Sequence, residues 1–328
     1  MAKRSIIPFG PQHPVLPEPV HLDLILEDET VVGAVPNIGF VHRGLEKLVE
    51  KRDYKQYTYV AERICGICSC GHGLGYCLAV EQIMNIEVPD RAKYLRTIWV
   101  EMSRIHSHLL WLGLLADAMG FESLHMESWR LREKILDMFD ETTGGRIIHS
   151  VNQVGGVQKD MDSTMLNDIL HAIDDIEKQM KPIVKTFLHD YTVQSRLKGV
   201  GVLSKDDAIA QGAVGPMLRA SGVEYDARLL GYGAYKDLTV EPITSKDGDS
   251  YGRCEVRLKE LFQSFDLIRE AIGKIPQGDI SVPVKGNPDG EYFVRIEQPR
   301  GEAIYYVKGS GKKYLDRFRL RTPTTSNI

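Results

Sequence analysis

The chain has 328 residues, of which 43% are hydrophobic and 26% charged, an ordinary globular composition that excludes a disordered or low-complexity protein. Its 41 Lys and Arg against 45 Asp and Glu give a net charge of −4, which argues against nucleic acid as a partner. The five cysteines are odd in number, and four of them fall between positions 65 and 77. Clustered thiols of this kind indicate metal or redox chemistry in a reducing compartment.

The first predicted element in chain order is a β-hairpin. Leucines alternate along 22–26, the polar turn EDET follows, and VVGAV at 31–35 forms the second strand. Residues 43–62 have apolar positions at near-helical spacing. The segment 65–75 is predicted to be a shaped loop, because its glycines and cysteines break any periodicity.

The middle of the chain is predicted to be a bundle of long amphipathic helices, because apolar residues recur there every three or four positions. Pro182 is expected to kink or split the third of them. The predicted helices cover about 90–120, 123–142, 160–190 and 253–273, and a short helix with Asp207 at its capping-box position follows Ser204.

A second β-hairpin is predicted near the C-terminus, with strands Tyr292–Glu297 and Ala303–Val307. The fold class is therefore α+β and mostly helical: a central long-helix bundle flanked by small β elements at the N- and C-terminal ends. The expected regions are 1–62 with the first hairpin, 63–275 with the cysteine segment and the bundle, and 276–328 with the second hairpin.

The chain is not expected to cross a membrane. The N-terminal residues lack the apolar core of a signal peptide. The longest uncharged run, Ile64–Val80, holds too many glycines and cysteines for a span of roughly 20 apolar residues. A membrane partner remains compatible with the sequence.

The segment from Arg63 to His72 carries the strongest chemical signal. Cys65 and Cys68 form a Cys-x-x-Cys pair around Gly66, which lets the backbone fold closely about whatever the thiolates hold. Soft thiolates select zinc, copper(I), iron–sulfur clusters or nickel with iron. His72 can donate a hydrogen bond to a metal-bound sulfur and tune it.

Simpler alternatives stand beside this interpretation. A structural zinc site of Cys65, Cys68, Cys70 and Cys77 would need unusual spacings. A thioredoxin-like redox pair would need a βαβ context, which the sequence does not offer. Cys70 and Cys77, like Cys254 on a predicted helix, are expected to pack as small apolar residues.

Two sets of motifs carry a family resemblance. Arg43-Gly-Leu-Glu46, followed by Arg63-Ile-Cys-Gly-Ile-Cys-Ser-Cys-Gly-His72, resembles the first signature of [NiFe]-hydrogenase large subunits. Gly10-Pro-Gln-His-Pro14 and Gly215-Pro-Met-Leu-Arg-Ala-Ser-Gly-Val223 resemble the 49-kDa subunit of respiratory complex I. A chain with both sets is similar to the membrane-bound, energy-converting (Ech-type, group 4) [NiFe] hydrogenases.

The resemblance implies roles at the cysteine segment. Cys65 would be a terminal nickel ligand, and Cys68 would bridge nickel and iron. His72 would hydrogen-bond the bridging sulfur. Glu46 corresponds to a ligand of a structural Mg²⁺ or Fe²⁺ beneath the site. On residue type alone, Glu46 would be an ordinary surface carboxylate.

Two further residues acquire catalytic roles from the same resemblance. Glu18 matches the glutamate that passes protons from the nickel thiolate, and Arg300, in Gln-Pro-Arg-Gly-Glu, matches the arginine that overhangs the metals. Without the resemblance, Glu18 would be a surface carboxylate and Arg300 a solvated charge in a hairpin turn.

The resemblance also implies an enzyme with cofactors and partners. The reaction would be the reversible reduction of protons to H₂ at a Ni–Fe centre whose iron carries CO and cyanide. Electrons would come from a ferredoxin through a [4Fe–4S] cluster in a small partner subunit, since this chain has no cysteines left for one. Further hydrophilic and integral membrane subunits would hold the chain peripherally on the cytoplasmic side of the cell membrane and translocate ions.

One departure from the family pattern keeps an alternative open. The family ends with a second Cys-x-x-Cys that supplies two more nickel thiolates, and the given sequence reaches Ile328 without it. We expect the sequence to be cut short before that motif. The alternative is a nickel-free, complex I-like structural or quinone-pocket subunit, which would leave Cys65, Cys68 and His72 unexplained.

Overall fold

The computed structural model describes residues 4–14, 16 and 18–328. The chain divides into two compact units, one formed by the N-terminal residues up to Leu45 together with Ile328, and one by residues 46–327.

The N-terminal unit contains an antiparallel three-stranded sheet in the order β1 (Arg4–Phe9), β2 (His21–Glu27) and β3 (Thr30–Asn37). The predicted hairpin is confirmed as β2 and β3, which turn at Asp28 with a φ of 55°. The sequence pattern did not predict that β1 would pair with β2.

The second unit is built around one long buried helix, α4 (Asp90–Ala118). It packs against α5 (Glu122–Thr143) and α10 (Ser250–Lys274), and α6 (Ser163–His189) packs against both of these. The predicted helical bundle is therefore confirmed. Pro182 does not split α6, because the proline ring lies on the exposed side while the apolar face remains continuous and buried.

The predicted loop at 65–75 is wrong over most of its length, because helix α3 begins at Ser69 and continues to Ile83. Alternating glycines, which disfavour a helix in isolation, are accommodated here because they allow other side chains to approach the helix axis closely. A Cβ at Gly71 would lie 2.3 Å from the Gln298 side chain, and one at Gly75 would lie 2.4 Å from the Tyr305 ring. Tertiary packing overrides helix propensity in this segment.

The C-terminal hairpin is confirmed as β6 (Asp289–Gln298) and β7 (Gly301–Ser310), with β8 (Arg317–Arg321) completing an antiparallel sheet. The fold class is the mostly helical α+β class expected from the sequence. No helix in the described ranges is both long and apolar enough to cross a membrane. The shorter elements are α1 (Leu45–Leu48), α2 (Tyr57–Glu62), β4 (Asn152–Gln153), β5 (Gly156–Val157), α7 (Tyr191–Leu197), α8 (Lys205–Ala210), α9 (Pro216–Ala220) and α11 (Pro323–Asn327).

A buried set of charged side chains joins α4, α9, α10 and β6 and is called the charge cluster below. Its members are at most 1% exposed and are linked by ion pairs. Because buried charges are stable only when paired, these contacts fix how the elements meet. The members are Glu101, Arg104, Arg219, Asp226, Arg228, Glu260 and Glu297.

Candidate metal centre

Three potential ligands meet at the start of α3. The sulfurs of Cys65 and Cys68 and a ring nitrogen of His72 all lie within 4.8 Å of one another. Cys68 and His72 are buried, and Cys65 is partly exposed. The cluster therefore has a closed side in the protein core and an open side at Cys65.

The backbone explains how the two thiols come together. Cys68 is the N-cap residue of α3, and the His72 N–H donates to the Cys68 carbonyl at 3.2 Å, which closes the first helical turn. Cys65 precedes the helix in the short connection after α2. The positive end of the helix dipole favours negative charge at this position, so thiolates are favoured there.

Arg300 reaches the pair from the turn between β6 and β7, although it is 235 residues away from Cys65 in the chain. Its Nη2 donates to the Cys65 sulfur at 2.7 Å and to the Cys68 sulfur at 3.4 Å. The strand before the turn is held by Arg104, whose Nη2 donates to the Glu297 carbonyl at 3.0 Å. The charge cluster thus positions the arginine that faces the thiols.

The two thiols share one proton. The hydrogen bond from Cys68, with further contributions from His72 and Arg300, holds the pKa of Cys65 well below its usual range. The same hydrogen bond, together with burial, raises the pKa of Cys68 well above its usual range. The resting pair is therefore one thiolate and one thiol, an arrangement suited to binding a soft metal or to thiol redox chemistry.

His72 is held from behind by two polar side chains of the C-terminal hairpin. Its Nδ1 lies 2.8 Å from the Tyr305 hydroxyl, and Gln298 Nε2 donates to that hydroxyl at 3.1 Å. These contacts orient the ring toward the sulfurs, as outer hydrogen bonds do around metal ligands. Sequence reasoning missed both residues. The available signal was the spacing of Gly71 and Gly75 along α3.

The structure places the two predicted glutamates elsewhere. Glu46 lies at the surface of the second unit, where its carboxylate accepts hydrogen bonds from Arg319 Nη1 and from the Leu320 N–H, both at 2.9 Å. Glu18 is an exposed residue of the N-terminal unit. Their roles as a metal ligand and a proton carrier remain predictions.

The remaining cysteines are fully buried, as expected of small apolar residues. Cys70 accepts a hydrogen bond from Asn152, and Cys77 lies 3.8 Å from the Thr58 hydroxyl. Burial raises the pKa of all three, that of Cys254 to about 12. Within the described part of the chain, none of them joins the ligand group of Cys65, Cys68 and His72.

The donors present fit one side of a thiolate-bridged metal pair. They offer two soft sulfurs, one of them ionised, beside a fixed positive charge and an oriented imidazole. Cys65 and Cys68 are the residues that would hold such a centre. The described residues add no third sulfur to this cluster.

Comparisons with known proteins agree with this architecture. The family described as "Nickel-dependent hydrogenase" matches residues 43–119, and the family described as "Respiratory-chain NADH dehydrogenase, 49 Kd subunit" matches residues 118–287. The membrane-bound hydrogenase subunit alpha of Pyrococcus furiosus is 39% identical over 98% of this chain and 80% of its own length. The NADH-quinone oxidoreductase of Chloroherpeton thalassium has a component that is 36% identical over 100% of this chain and 81% of its own length.

A solved structure shares the fold. A chain of the membrane-bound sulfane sulfur reductase, an archaeal respiratory membrane complex, superposes with a TM-score of 0.93 at 31% identity, covering 98% of this chain and 89% of that one. Fold and site together define the large, site-bearing subunit of a multi-subunit oxidoreductase. The chain belongs to the family of [NiFe]-hydrogenase large subunits and complex I 49-kDa subunits.

Proposed function

We propose that this chain is the catalytic large subunit of a membrane-bound [NiFe] hydrogenase that reversibly reduces protons to H₂. The observation that carries the proposal is the Arg300 guanidinium bonded to both sulfurs of the Cys65–Cys68 pair. The Pyrococcus hydrogenase relative supports it. Electrons would come from a ferredoxin-type donor through a [4Fe–4S] cluster in a small partner subunit, and membrane subunits would couple the reaction to ion translocation.

The residues of this chain have separate tasks in that reaction. A Ni–Fe centre, with CO and cyanide on iron, supplies the Lewis acid that polarises H₂ when it is bound. The ionised thiolate of the pair accepts a proton, and Arg300 stabilises negative charge at the sulfurs with a cation that desolvation does not remove. His72 orients Cys68, Glu18 relays the proton outward, and Glu46 belongs to a structural Mg²⁺ or Fe²⁺ site.

Metal analysis of the complete purified complex, with an assay of H₂ evolution, tests this function. Nickel and iron should both be present, and Cys65→Ser should lose nickel and H₂ evolution while the complex still assembles. Cys254→Ser changes a buried cysteine outside the cluster and is the matched control, which should keep both. Full activity in Cys65→Ser would overturn the assignment.

One observation favours a second, nickel-free function. The cysteine pair has no further sulfur in its cluster within the described residues, and the solved relative belongs to a sulfane sulfur reductase. In this alternative to the hydrogenase, the chain is a complex I-like subunit whose two thiols are the redox group. They would release a sulfane sulfur atom as sulfide while closing to a disulfide, and two electrons with two protons from a partner would restore them. A complex without nickel that reduces polysulfide would favour this function.

A further inference from the structure

Behind the cysteine segment lies a group of buried polar atoms that the cysteine chemistry described above does not use. Glu62 Oε1, His149 Nε2 and Asn152 Oδ1 have no hydrogen-bond partner among the described residues. Glu62 and Asn152 are fully buried, and His149 is 5% exposed. Because folded proteins leave few buried polar atoms unpaired, three in one neighbourhood indicate a place built for internal water or a mobile proton.

The hydrogen bonds of Ser69 fix the tautomer of His149. The Ser69 hydroxyl donates to the Ile147 carbonyl at 2.6 Å, so its oxygen accepts from His149 Nδ1–H at 3.3 Å. Nε2 is therefore a lone-pair acceptor. Burial lowers the pKa of His149 to about 4, which keeps the ring neutral near pH 7. Ser69 directly precedes Cys70 and follows Cys68, so this contact reaches the cysteine pair's own helix turn.

Glu62 is held in place by unusual backbone. Its Oε2 accepts a hydrogen bond from the Ser150 N–H at 2.8 Å, and Ser150 has a φ of 51°, a left-handed conformation that is rare for serine. A Cβ at Gly73 would lie 2.8 Å from Glu62 Oε1 and 3.3 Å from Asn152 Nδ2. A glycine and a strained serine thus let this carboxylate share one small space with an amide.

The same space connects to solvent. Asn152 also lines a cavity of about 300 Å³ that opens at the surface between Thr58, Gln158 and Val284. The Asn152 amide donates to the Cys70 carbonyl at 3.0 Å, which fixes it between the cavity and α3. A continuous row of polar groups therefore runs from the surface cavity through Asn152, Glu62 and His149 to the turn that holds the thiols.

We propose that Glu62 carries protons between the cysteine pair and solvent along this row, on a route separate from Glu18. The proposal rests on the proposed redox role of the pair, in either of its versions. A proton leaves the thiol to an internal water and passes to the Glu62 carboxylate, and the carboxyl then releases it to water in the cavity beside Asn152. No electron moves along this route, and proton uptake follows the reverse order.

The groups that face Glu62 suit this task. Burial raises the pKa of Glu62 to about 7, while the Ser150 N–H and the charge of Arg63 act in the opposite direction. The neighbouring Cys70 thiol and the Asn152 amide carry no charge at this pH. A carboxyl that titrates near the working pH both accepts and releases a proton readily.

Variants of Glu62 in the complete complex test the route. Turnover is measured as H₂ evolution or as polysulfide reduction, whichever the complex performs. Glu62→Gln keeps the shape and removes the transferable proton, so turnover should fall about tenfold or more, with a larger solvent deuterium isotope effect. Glu62→Asp keeps a carboxyl and should retain most of the rate.

A swap variant separates proton transfer from packing. Glu62→Gln combined with Asn152→Asp exchanges amide and carboxyl across the same space and should recover much of the lost rate. Failure of the swap and of Glu62→Asp to exceed Glu62→Gln would overturn the route, because packing alone would then explain the loss. Unchanged turnover in Glu62→Gln would also overturn it.

Infrared titration of the full chain without metal gives an independent reading. A carboxylic acid C=O band should be present near pH 6, disappear above pH 8 and be missing in Glu62→Gln. Absence of this difference would overturn the proposal even if Glu62→Gln folds poorly in the complex. Full turnover in Cys65→Ser would instead overturn the proposed function, so the two failures are distinguishable.

Discussion

The charge cluster and the cysteine pair are two buried polar regions with opposite designs. In the charge cluster each charge has an opposite charge within bonding distance: Arg219 Nη1 lies 2.8 Å from Glu297, and Arg228 Nη2 lies 2.7 Å from Asp226. At the cysteine pair, one arginine faces two sulfurs that share a single proton and retain free coordination capacity. Saturated pairing makes a rigid scaffold, and unsaturated pairing leaves groups available for chemistry.

The two regions are nevertheless mechanically connected. Arg104 donates to the backbone carbonyls of Glu297 and Gln298, at 3.0 and 3.4 Å, and Arg300 follows two residues later. The charge cluster thereby holds the strand from which the guanidinium reaches the thiols. We therefore expect mutations in the charge cluster to change stability first, and mutations at the pair to change turnover with little effect on stability.

The largest effect is expected from Arg219→Met. This change leaves the buried carboxylates of Glu260 and Glu297 without their shared partner, which should cost about 3–5 kcal/mol of unfolding free energy. Urea unfolding of the full chain measures the loss. Arg269→Met breaks exposed ion pairs and should cost less than about 1 kcal/mol. Equal losses in the two variants would contradict the scaffold role of the charge cluster.

The second prediction concerns Arg300→Lys. Lysine lacks the planar fork that contacts both sulfurs, and it loses its proton more readily when it is desolvated. Turnover of the complete complex should fall about 10²-fold, the effect of losing one preorganised electrostatic contact, while unfolding free energy changes little.

The matched control is Arg295→Lys on the same strand, where the side chain is exposed and its ion pair to Glu302 is long, at 3.7 Å. This control should keep normal turnover. Near-normal turnover in Arg300→Lys itself would place the chemistry away from the cysteine pair.

A pH titration of stability sharpens the comparison further. The charge cluster holds four carboxylates and three arginines, and burial, with the charge of Asp226, raises the pKa of Glu297 to about 7. Protonated Glu297 therefore stabilises the fold below pH 4.5, and that contribution is lost as the pH rises through 7. Glu297→Gln should remove this slope, at about 1.4 kcal/mol per unit of pKa. An identical slope in the variant and the parent chain would assign the proton to another group.

The sequence predicted the long helices and both hairpins because apolar residues mark their buried faces. It did not predict the charge cluster. Periodicity detects an apolar stripe, whereas α4 is buried on nearly all sides and carries Glu101 and Arg104 on a face covered by other charges. Paired charges replace apolar contacts there, so the hydrophobic pattern contains no record of them.

Cys65, Cys68, His72 and Arg300 were singled out by their resemblance to a family signature, and the fold brings these four together. Chemistry of the residues alone had indicated only the cysteine segment. Tyr305 and Glu62 were missed because their importance depends on contacts made across the chain with α3. The glycines of α3 were the available clue, and they were interpreted as loop-forming because helix propensity was given more weight than close packing.

The smallest effect is predicted for Gly75→Ala, which tests that packing directly. The new Cβ would lie 2.4 Å from the Tyr305 ring, so the ring must shift and loosen its contact with His72. Overpacking of this kind should cost about 1–3 kcal/mol of unfolding free energy. Gly273→Ala is the matched control, because a Cβ there meets nothing within 4 Å, and it should stabilise α10 by about 0.5–1 kcal/mol. A stabilising Gly75→Ala would show that Tyr305 yields freely, and the ring could then not orient His72.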